Sequence, residues 1–217
     1  MDSTSEAFIG KLGNCFIKQV KEWAEIIVGV ETRNKYEIYD DQKQHLGMAA
    51  EVGKGFWKFM VRNVLRSHRP LELNIWNNQK ELVFSIKRPF FWFFSDLTIS
   101  DASGEVVGIA HRRFSLINKK YDLVDNRGRL VALIKSPFWR LWRFPIMDPQ
   151  GQQWGLITKK WGGALKEIFT DTDSFKVDFP INASSQEKAL ILGTAFTIDL
   201  DYFEDNVKRG VSYSWNN

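Results

Sequence analysis

The segment EKALILGTAFTIDLDYFE (residues 187–204) contains the strongest helix signal in this sequence. Ser184, which is followed by an acid three residues later, offers an N-cap for it. Residues 189–198 carry no charge and are apolar on every face, so a helix here is buried either in protein or in a membrane. Such a run rises only about 15 Å, whereas a bilayer core is about 30 Å thick. We therefore predict a helix over residues 188–202 that is buried within protein, where Gly193 allows close packing.

Four turn signals precede this helix at intervals of 23 or 24 residues. All are rich in residues that favour tight turns, and they are residues 77–80, 102–104, 126–128 and 149–151. Short runs of alternating apolar and polar residues flank each turn, as Leu82, Phe84 and Ile86 show after the first. This pattern predicts β-hairpins. A further hairpin is predicted at residues 35–50, and a last strand at residues 175–180.

Ten to twelve strands in one domain predict a closed antiparallel barrel or a sandwich. The length of 217 residues and the hydrophobic content of 44% fit a single domain. We expect an N-terminal tail at residues 1–14, the barrel domain at 15–205 and a C-terminal tail at 206–217. The first residues lack the basic and apolar regions of a signal peptide. The single cysteine, Cys15, allows no internal disulfide and suits a reducing compartment.

In a meander the four turns lie at one end of the barrel, and the opposite end carries cationic and aromatic segments. These segments are KRPFFWFF (87–94), HRRFSLINKK (111–120), KSPFWRLWRF (135–144), KKWGGALK (159–166) and residues 55–70. Aromatic side chains favour a membrane interface, and Lys and Arg favour anionic lipid. The net charge of +4 agrees with an anionic partner, either acidic headgroups or nucleic acid. The alternative is that the aromatic rings fold back to plug the core while the cations are only solvated.

The candidate lipid contacts come from this aromatic, cationic end. Pro89 places the beginning of KRPFFWFF in a connection, because a central strand does not accept proline. Phe93 and Phe94 lead directly into the next strand and are expected to return to the core. The expected contacts are Phe91, Trp92, Trp139, Trp142, Arg112, Arg113, Arg140 and Arg143.

No pattern of catalytic residues is present. The three histidines are scattered, the one cysteine gives no zinc spacing, and there is no glycine-rich phosphate loop or carboxylate pair. We therefore expect that the protein is not an enzyme that makes or breaks bonds, and we assign no catalytic or cofactor-binding residue.

The acidic stretch DTDSFKVDFPIN (residues 171–182) is a weak calcium candidate. In a calcium loop that begins at Asp171, only Asp171 and Asp173 supply charged ligands at the required positions, and the twelfth position is Asn182. Lys176 adds a repelling cation. We predict an affinity for calcium weaker than about 10⁻⁴ M. The alternative is an acidic turn that leads into a strand whose alternate residues face the core.

Several segments resemble the phospholipid scramblase family. They are NKYEIYDDQKQHLGMAAE (34–51), RPLELNI (69–75), KRPF (87–90), KKWGGALKEIFTDTDSFKVDFP (159–180) and KALILGTAFTIDLDYFE (188–204). The resemblance implies a tubby-like fold, in which a closed barrel of about twelve strands surrounds a central apolar helix. It also implies calcium-dependent movement of phospholipids between leaflets by a protein associated with the inner, cytoplasmic face of a membrane.

The sequence departs from the family pattern in three respects. Cysteine clusters that carry lipid in animal members are replaced by aromatic residues at 90–94 and 138–144. A proline-rich N-terminal extension is missing, and Lys176 and Asn182 occupy positions where the calcium motif has glycine and an acid. Two functions therefore stay open: a scramblase-like protein that binds anionic phospholipid and moves it, and a non-catalytic tubby-like module that binds lipid, protein or nucleic acid.

Overall fold

The computed structural model describes residues 1–20, 32–52, 70–90, 96–113, 118–137, 139–140, 142–160 and 174–202. These residues form two helices and twelve strands. The helices are α1 (Ser3–Ile9) and α2 (Ser185–Tyr202). The strands are β1 (Asn14–Val20), β2 (Thr32–Tyr39), β3 (His45–Val52), β4 (Leu71–Asn77), β5 (Leu82–Arg88), β6 (Asp96–Asp101), β7 (Val106–Arg113), β8 (Asn118–Asp125), β9 (Leu130–Pro137), β10 (Arg143–Met147), β11 (Gln153–Lys160) and β12 (Ser174–Asp178).

The twelve strands form one closed antiparallel barrel. Each strand pairs with its neighbours in sequence, and β1 closes the ring by pairing with β12, with Cys15 opposite Val177. Successive side chains of a strand point to opposite faces, and β4 shows this as buried Leu71, Leu73 and Ile75 alternating with half-exposed residues. The predicted barrel of about twelve strands is confirmed.

Five hairpin turns of one type lie at the same end of the barrel, called here the turn end. In the turn after β6, the Asp101 carboxylate accepts hydrogen bonds from the amides of Ser103 (3.1 Å) and Glu105 (3.0 Å). The fourth residue of each turn has a positive φ, which glycine adopts without strain. These residues are Lys43, Lys80, Gly104, Gly128 and Gly151. The four turns predicted from the sequence are confirmed.

Helix α2 lies inside the barrel, as predicted. It begins at the turn end with a capping box, in which Ser184 Oγ accepts from the Glu187 amide and the Glu187 carboxylate accepts from the Ser184 amide. Every residue from 188 to 200 is buried. The Phe196 ring packs edge-on against the Tyr36 ring of β2, with centroids 5.1 Å apart. In the described part of the chain, no helix has both the length and the apolar character needed to span a bilayer.

Helix α1 covers the turn end, a feature that the sequence analysis did not predict. Residues 1–14 were expected to be a tail, and a helix of seven residues is too short to show a reliable apolar period. Asp2 caps α1 by accepting from the amides of Thr4 (2.9 Å) and Ser5 (3.1 Å). The Ser5 hydroxyl donates to the Val83 carbonyl at 2.7 Å, which ties α1 to the barrel. Burial would raise the pKa of Asp2, but these hydrogen bonds outweigh it and lower the pKa to about 2.

Candidate functional site

The end of the barrel opposite the turn end carries exposed aromatic and cationic side chains. We call it the aromatic end and define it by Phe90, Trp139, Arg140, Trp142 and Arg143. Trp139 is 71% exposed and Trp142 is 46% exposed. Arg140 and Arg143 are also exposed. Large aromatic surface in water is costly, so its concentration beside two cations at one end indicates a contact surface.

The connection between β9 and β10 holds these side chains outward through its own backbone. The Ser136 hydroxyl, fully buried, lies within hydrogen-bonding distance of the Arg140 carbonyl (3.0 Å) and the Arg143 carbonyl (2.7 Å). The Lys159 amide of β11 donates to the Trp142 carbonyl at 2.9 Å. These contacts hold the backbone of the connection against the barrel wall, and the exposed Trp139 and Trp142 side chains lie outside the core. The plug alternative is therefore wrong for Trp139 and Trp142.

Four of the candidate residues lie outside the described part of the chain. They are the lipid candidates Phe91 and Trp92 and the calcium candidates Asp171 and Asp173. Within the described residues, no group of three or more His, Cys, Asp or Glu side chains is placed to hold a metal ion. Weak calcium binding stays a prediction.

The two remaining arginines are the last residues of β7, and their side chains lie on opposite faces of the barrel wall. Arg112 points into the barrel, where its guanidinium lies 3.4 Å from the Asp201 carboxylate of α2. Arg113, the next residue, points outward and its Nε donates to the Asp122 carboxylate at 2.7 Å. The alternation of a strand separates two adjacent side chains in this way. Arg140 and Arg143 are thus the candidate arginines that are exposed next to Trp139 and Trp142 in the chain.

A buried cluster of charges holds the last turn of α2 at this end of the barrel. Asp199 lies 3.0 Å from the Lys159 ammonium and accepts a hydrogen bond from the Tyr36 hydroxyl at 2.8 Å. Asp201 pairs with Arg88 and accepts from the Tyr121 hydroxyl at 2.8 Å. Carboxylates at a helix C-terminus oppose the helix dipole, and buried charges need partners. The partners are cations from three strands: Arg88 of β5, Arg112 of β7 and Lys159 of β11.

Sequence reasoning missed this cluster. The signal that could have found it is the break in the apolar run, where two acids, Asp199 and Asp201, follow ten uncharged residues. A buried acid needs a buried cation, and Arg88 and Lys159 stand at inward positions of alternating strands. Pairing them with α2 requires the barrel register, which local patterns do not contain.

Lys119 is a further cation inside the aromatic end. It is 3% exposed, and its ammonium lies 5.2 Å from the centroid of the Phe144 ring. Burial lowers the pKa of Lys119 to about 8. On the opposite wall, at the same end, β2 and β3 add the buried pair of Asn34 and Glu51, joined by a hydrogen bond of 2.9 Å. These side chains add buried polar groups to the interior at the aromatic end.

Comparison with known proteins identifies relatives over most of the chain. Phospholipid scramblase 2 of Bos taurus is 28% identical over 210 residues, which cover 91% of this chain and 70% of that protein. Phospholipid scramblase 1 of Homo sapiens is 27% identical, covering 91% of this chain and 65% of that protein. A phospholipid scramblase family protein of Schizosaccharomyces pombe is 25% identical, covering 86% of this chain and 58% of that protein.

The chain thus spans between 58% and 70% of the length of these three relatives. No solved structure gives a significant match. The family model described as Scramblase matches residues 2–205, which include every described strand and both helices. This chain therefore belongs to the scramblase family.

Proposed function

We propose that this protein binds anionic phospholipid at a membrane surface through its aromatic end and moves phospholipids between the two leaflets. Membership of the scramblase family supports the choice of phospholipid as its target. The observation that carries the site is the exposure of Trp139 and Trp142 beside Arg140 and Arg143. No covalent step is involved, because a lipid that changes leaflet keeps all its bonds.

Two physical terms favour this contact. Tryptophan prefers the interface between headgroups and acyl chains, and its apolar surface gains about 25 cal/mol for each Å² removed from water. Each Lys or Arg beside an anionic surface adds about 1 kcal/mol. Trp139 and Trp142 supply the first term, and Arg140 and Arg143 supply the second. Because anionic lipid is concentrated in the cytoplasmic leaflet, we place the protein peripherally on the inner face.

Liposome flotation tests the binding site. Wild-type protein should float with vesicles that contain phosphatidylserine and less with purely neutral vesicles. The variant Trp139→Ala with Trp142→Ala should float much less. The matched control is Leu130→Ala with Ile181→Ala, which removes two exposed apolar side chains at the turn end and should float as wild type. If both folded variants floated equally well, Trp139 and Trp142 would not be the lipid contact. Adding Trp92→Ala to the tryptophan variant would then test the remaining candidate tryptophan.

A lipid-flip measurement tests the transport part of the proposal. Vesicles with a fluorescent phospholipid in both leaflets should lose more fluorescence to an external quencher after the protein is reconstituted, with and without calcium. Flotation without flip would identify a binding module that does not move lipid. Loss of flip in the tryptophan variant, with the control variant active, would link movement to the aromatic end.

A further inference from the structure

Three cations stand in a row across the outer wall of the barrel. Arg113 of β7 lies directly opposite Lys120 of β8, and Lys120 lies directly opposite Lys135 of β9. Their sequence neighbours Lys119 and Ser136 are buried inside the barrel, so the alternation of the strands places the row on the outer face. We call Arg113, Lys120 and Lys135 the cation row.

This arrangement costs stability, because like charges directly opposite each other on antiparallel strands repel. Asp122 relieves the cost in part, with its carboxylate 2.7 Å from Arg113 Nε and 3.4 Å from the Lys120 ammonium. Lys135 is exposed and forms no ion pair with any residue that the structure describes.

Two other cations on the wall lie directly opposite an acid. Lys87 of β5 is opposite Glu72 of β4, with 3.6 Å between the charged atoms. Lys18 of β1 is opposite Glu37 of β2, at 3.9 Å. In the registers of the described strands, directly opposed pairs of two cations occur only in the row on β7 to β9. A repulsive row that is kept in spite of its cost fits a surface that an anionic partner neutralises.

The row continues the aromatic end along the side of the barrel. Lys135 precedes Trp139 and Arg140 by only four and five residues, and β9 runs directly into their connection. Cations and exposed aromatic rings are thus continuous from the end of the barrel onto the wall formed by β7, β8 and β9. The opposite wall is formed by β2 and its neighbours, since β2 stands six strands from β8 in the ring.

We propose that the barrel docks on an anionic membrane in a tilted orientation, with the wall of β7 to β9 and the cation row against the headgroups. This inference rests on the proposed function and adds the orientation and the anionic headgroup contact. Headgroup phosphates and carboxylates placed between the three cations remove the repulsion and add attraction. In a barrel that stood upright on its aromatic end, Lys120 and Lys135 would point sideways from the wall and not toward the headgroups.

The test reverses one charge on each wall. Lys135→Glu should weaken binding to phosphatidylserine vesicles about 30-fold, and Lys135→Gln about fivefold. The same Lys135→Glu change should keep or raise the melting temperature, because it places an acid opposite Lys120. The control is Lys35→Glu on β2, which changes the net charge equally on the opposite wall. It should bind vesicles as wild type does.

The outcomes separate the orientation from the function. If Lys35→Glu weakens binding as much as Lys135→Glu, only net charge matters and the tilted orientation is wrong, although membrane binding stands. If wild-type protein binds no vesicles, the proposed function fails and the orientation with it. If Lys135→Glu leaves vesicle binding intact but abolishes retention on double-stranded DNA, the row is a nucleic-acid surface and the inference is overturned.

Discussion

At the scale of single residues, the interior of the aromatic end differs from an ordinary core because it holds cations. Lys119 is the clearest case, since it is buried and its ammonium lies over the Phe144 ring. A buried charge costs free energy even when an aromatic face compensates for part of it. The protein therefore carries a destabilising group at the end where we place membrane contact.

Lys119 should make stability depend on pH above neutrality. Burial lowers its pKa from 10.5 to about 8, so between these values the unfolded chain holds a proton that the folded chain has released. More protons bound to the unfolded state mean that stability rises with pH in this window. Urea unfolding at several pH values should show that the free energy of unfolding of wild type rises, relative to that of Lys119→Met, between about pH 8 and 10.5. A difference that stays constant with pH would contradict this.

Calcium binding should be weak for reasons that also act at single residues. Asp171 and Asp173 are the only charged ligands in their loop, Lys176 repels a cation, and Asn182 cannot chelate with two charged oxygens. Calorimetric titration should give an affinity weaker than about 10⁻⁴ M. Micromolar binding that disappears in Asp171→Asn would show that ligands outside this loop complete a strong site.

At the scale of elements, α2 is held by close packing along its length and by charge at its end. A Cβ atom added at Gly193 would lie 2.8 Å from Ile99 Cγ1 on β6, which is closer than real contacts allow. At the last turn, Asp199 and Asp201 connect α2 to strands on different sides of the barrel. The helix is thus matched in shape and charge to this one barrel.

Replacing Gly193 with a larger residue should destabilise the fold. Gly193→Val should lower the free energy of unfolding by about 1–3 kcal/mol through overpacking. The matched control is Gly13→Val, because a Cβ atom at Gly13 meets nothing within 4 Å. Chemical denaturation measures both. Equal stability of the two variants would mean that α2 can shift inside the barrel.

Replacing only Asp199 should lower the free energy of unfolding more than replacing both Asp199 and its partner Lys159. Asp199→Asn leaves the Lys159 ammonium, which is 2% exposed as a residue, without its carboxylate. Loss of one partner of a buried pair costs about 3–5 kcal/mol, whereas replacement of both is often neutral. The double variant Asp199→Asn with Lys159→Met should therefore be more stable than Asp199→Asn alone. A double-mutant cycle on unfolding free energies measures the coupling, and additive losses would contradict it.

At the scale of the whole molecule, the two ends of the barrel differ in what they present. The turn end is closed by five similar hairpin turns and by α1. The aromatic end presents Trp139 and Trp142 beside Arg140 and Arg143. A barrel with this polarity can contact a membrane with one side while its other surfaces stay in water.

Membrane affinity should have two contributions: electrostatic attraction, which salt screens, and burial of apolar rings, which salt does not screen. Raising NaCl from about 0.05 M to about 0.5 M shortens the screening length severalfold, so binding to phosphatidylserine vesicles should weaken but persist. The binding that persists at high salt comes from burial of apolar rings. This binding should vanish in Trp139→Ala with Trp142→Ala. Co-sedimentation at the two salt concentrations measures this. Complete loss of wild-type binding at high salt would assign the whole affinity to charge.

Local patterns predicted the elements of the fold. The turns at residues 102–104, 126–128 and 149–151 follow from glycine, which adopts positive φ without strain. The apolar run at 189–198, too short for a bilayer, predicted a helix within protein, and α2 confirms it. The exposure of Trp139 and Trp142 was also predictable, because they stand in a connection and not at alternating strand positions. Their role as lipid contacts stays a prediction.

Only the tertiary structure decided which distant groups meet. The closure of β1 on β12, the docking of α1 and the pairing of Asp199 with Lys159 join residues that are 40 or more positions apart. The tertiary structure also placed Arg112 beside Asp201 inside the barrel and Arg113 on the outer wall. The strand register aligned the three residues of the cation row. The physical reason is that each of these contacts depends on the register of the closed barrel. That register is set by the packing of all twelve strands around α2 and not by any local stretch of sequence.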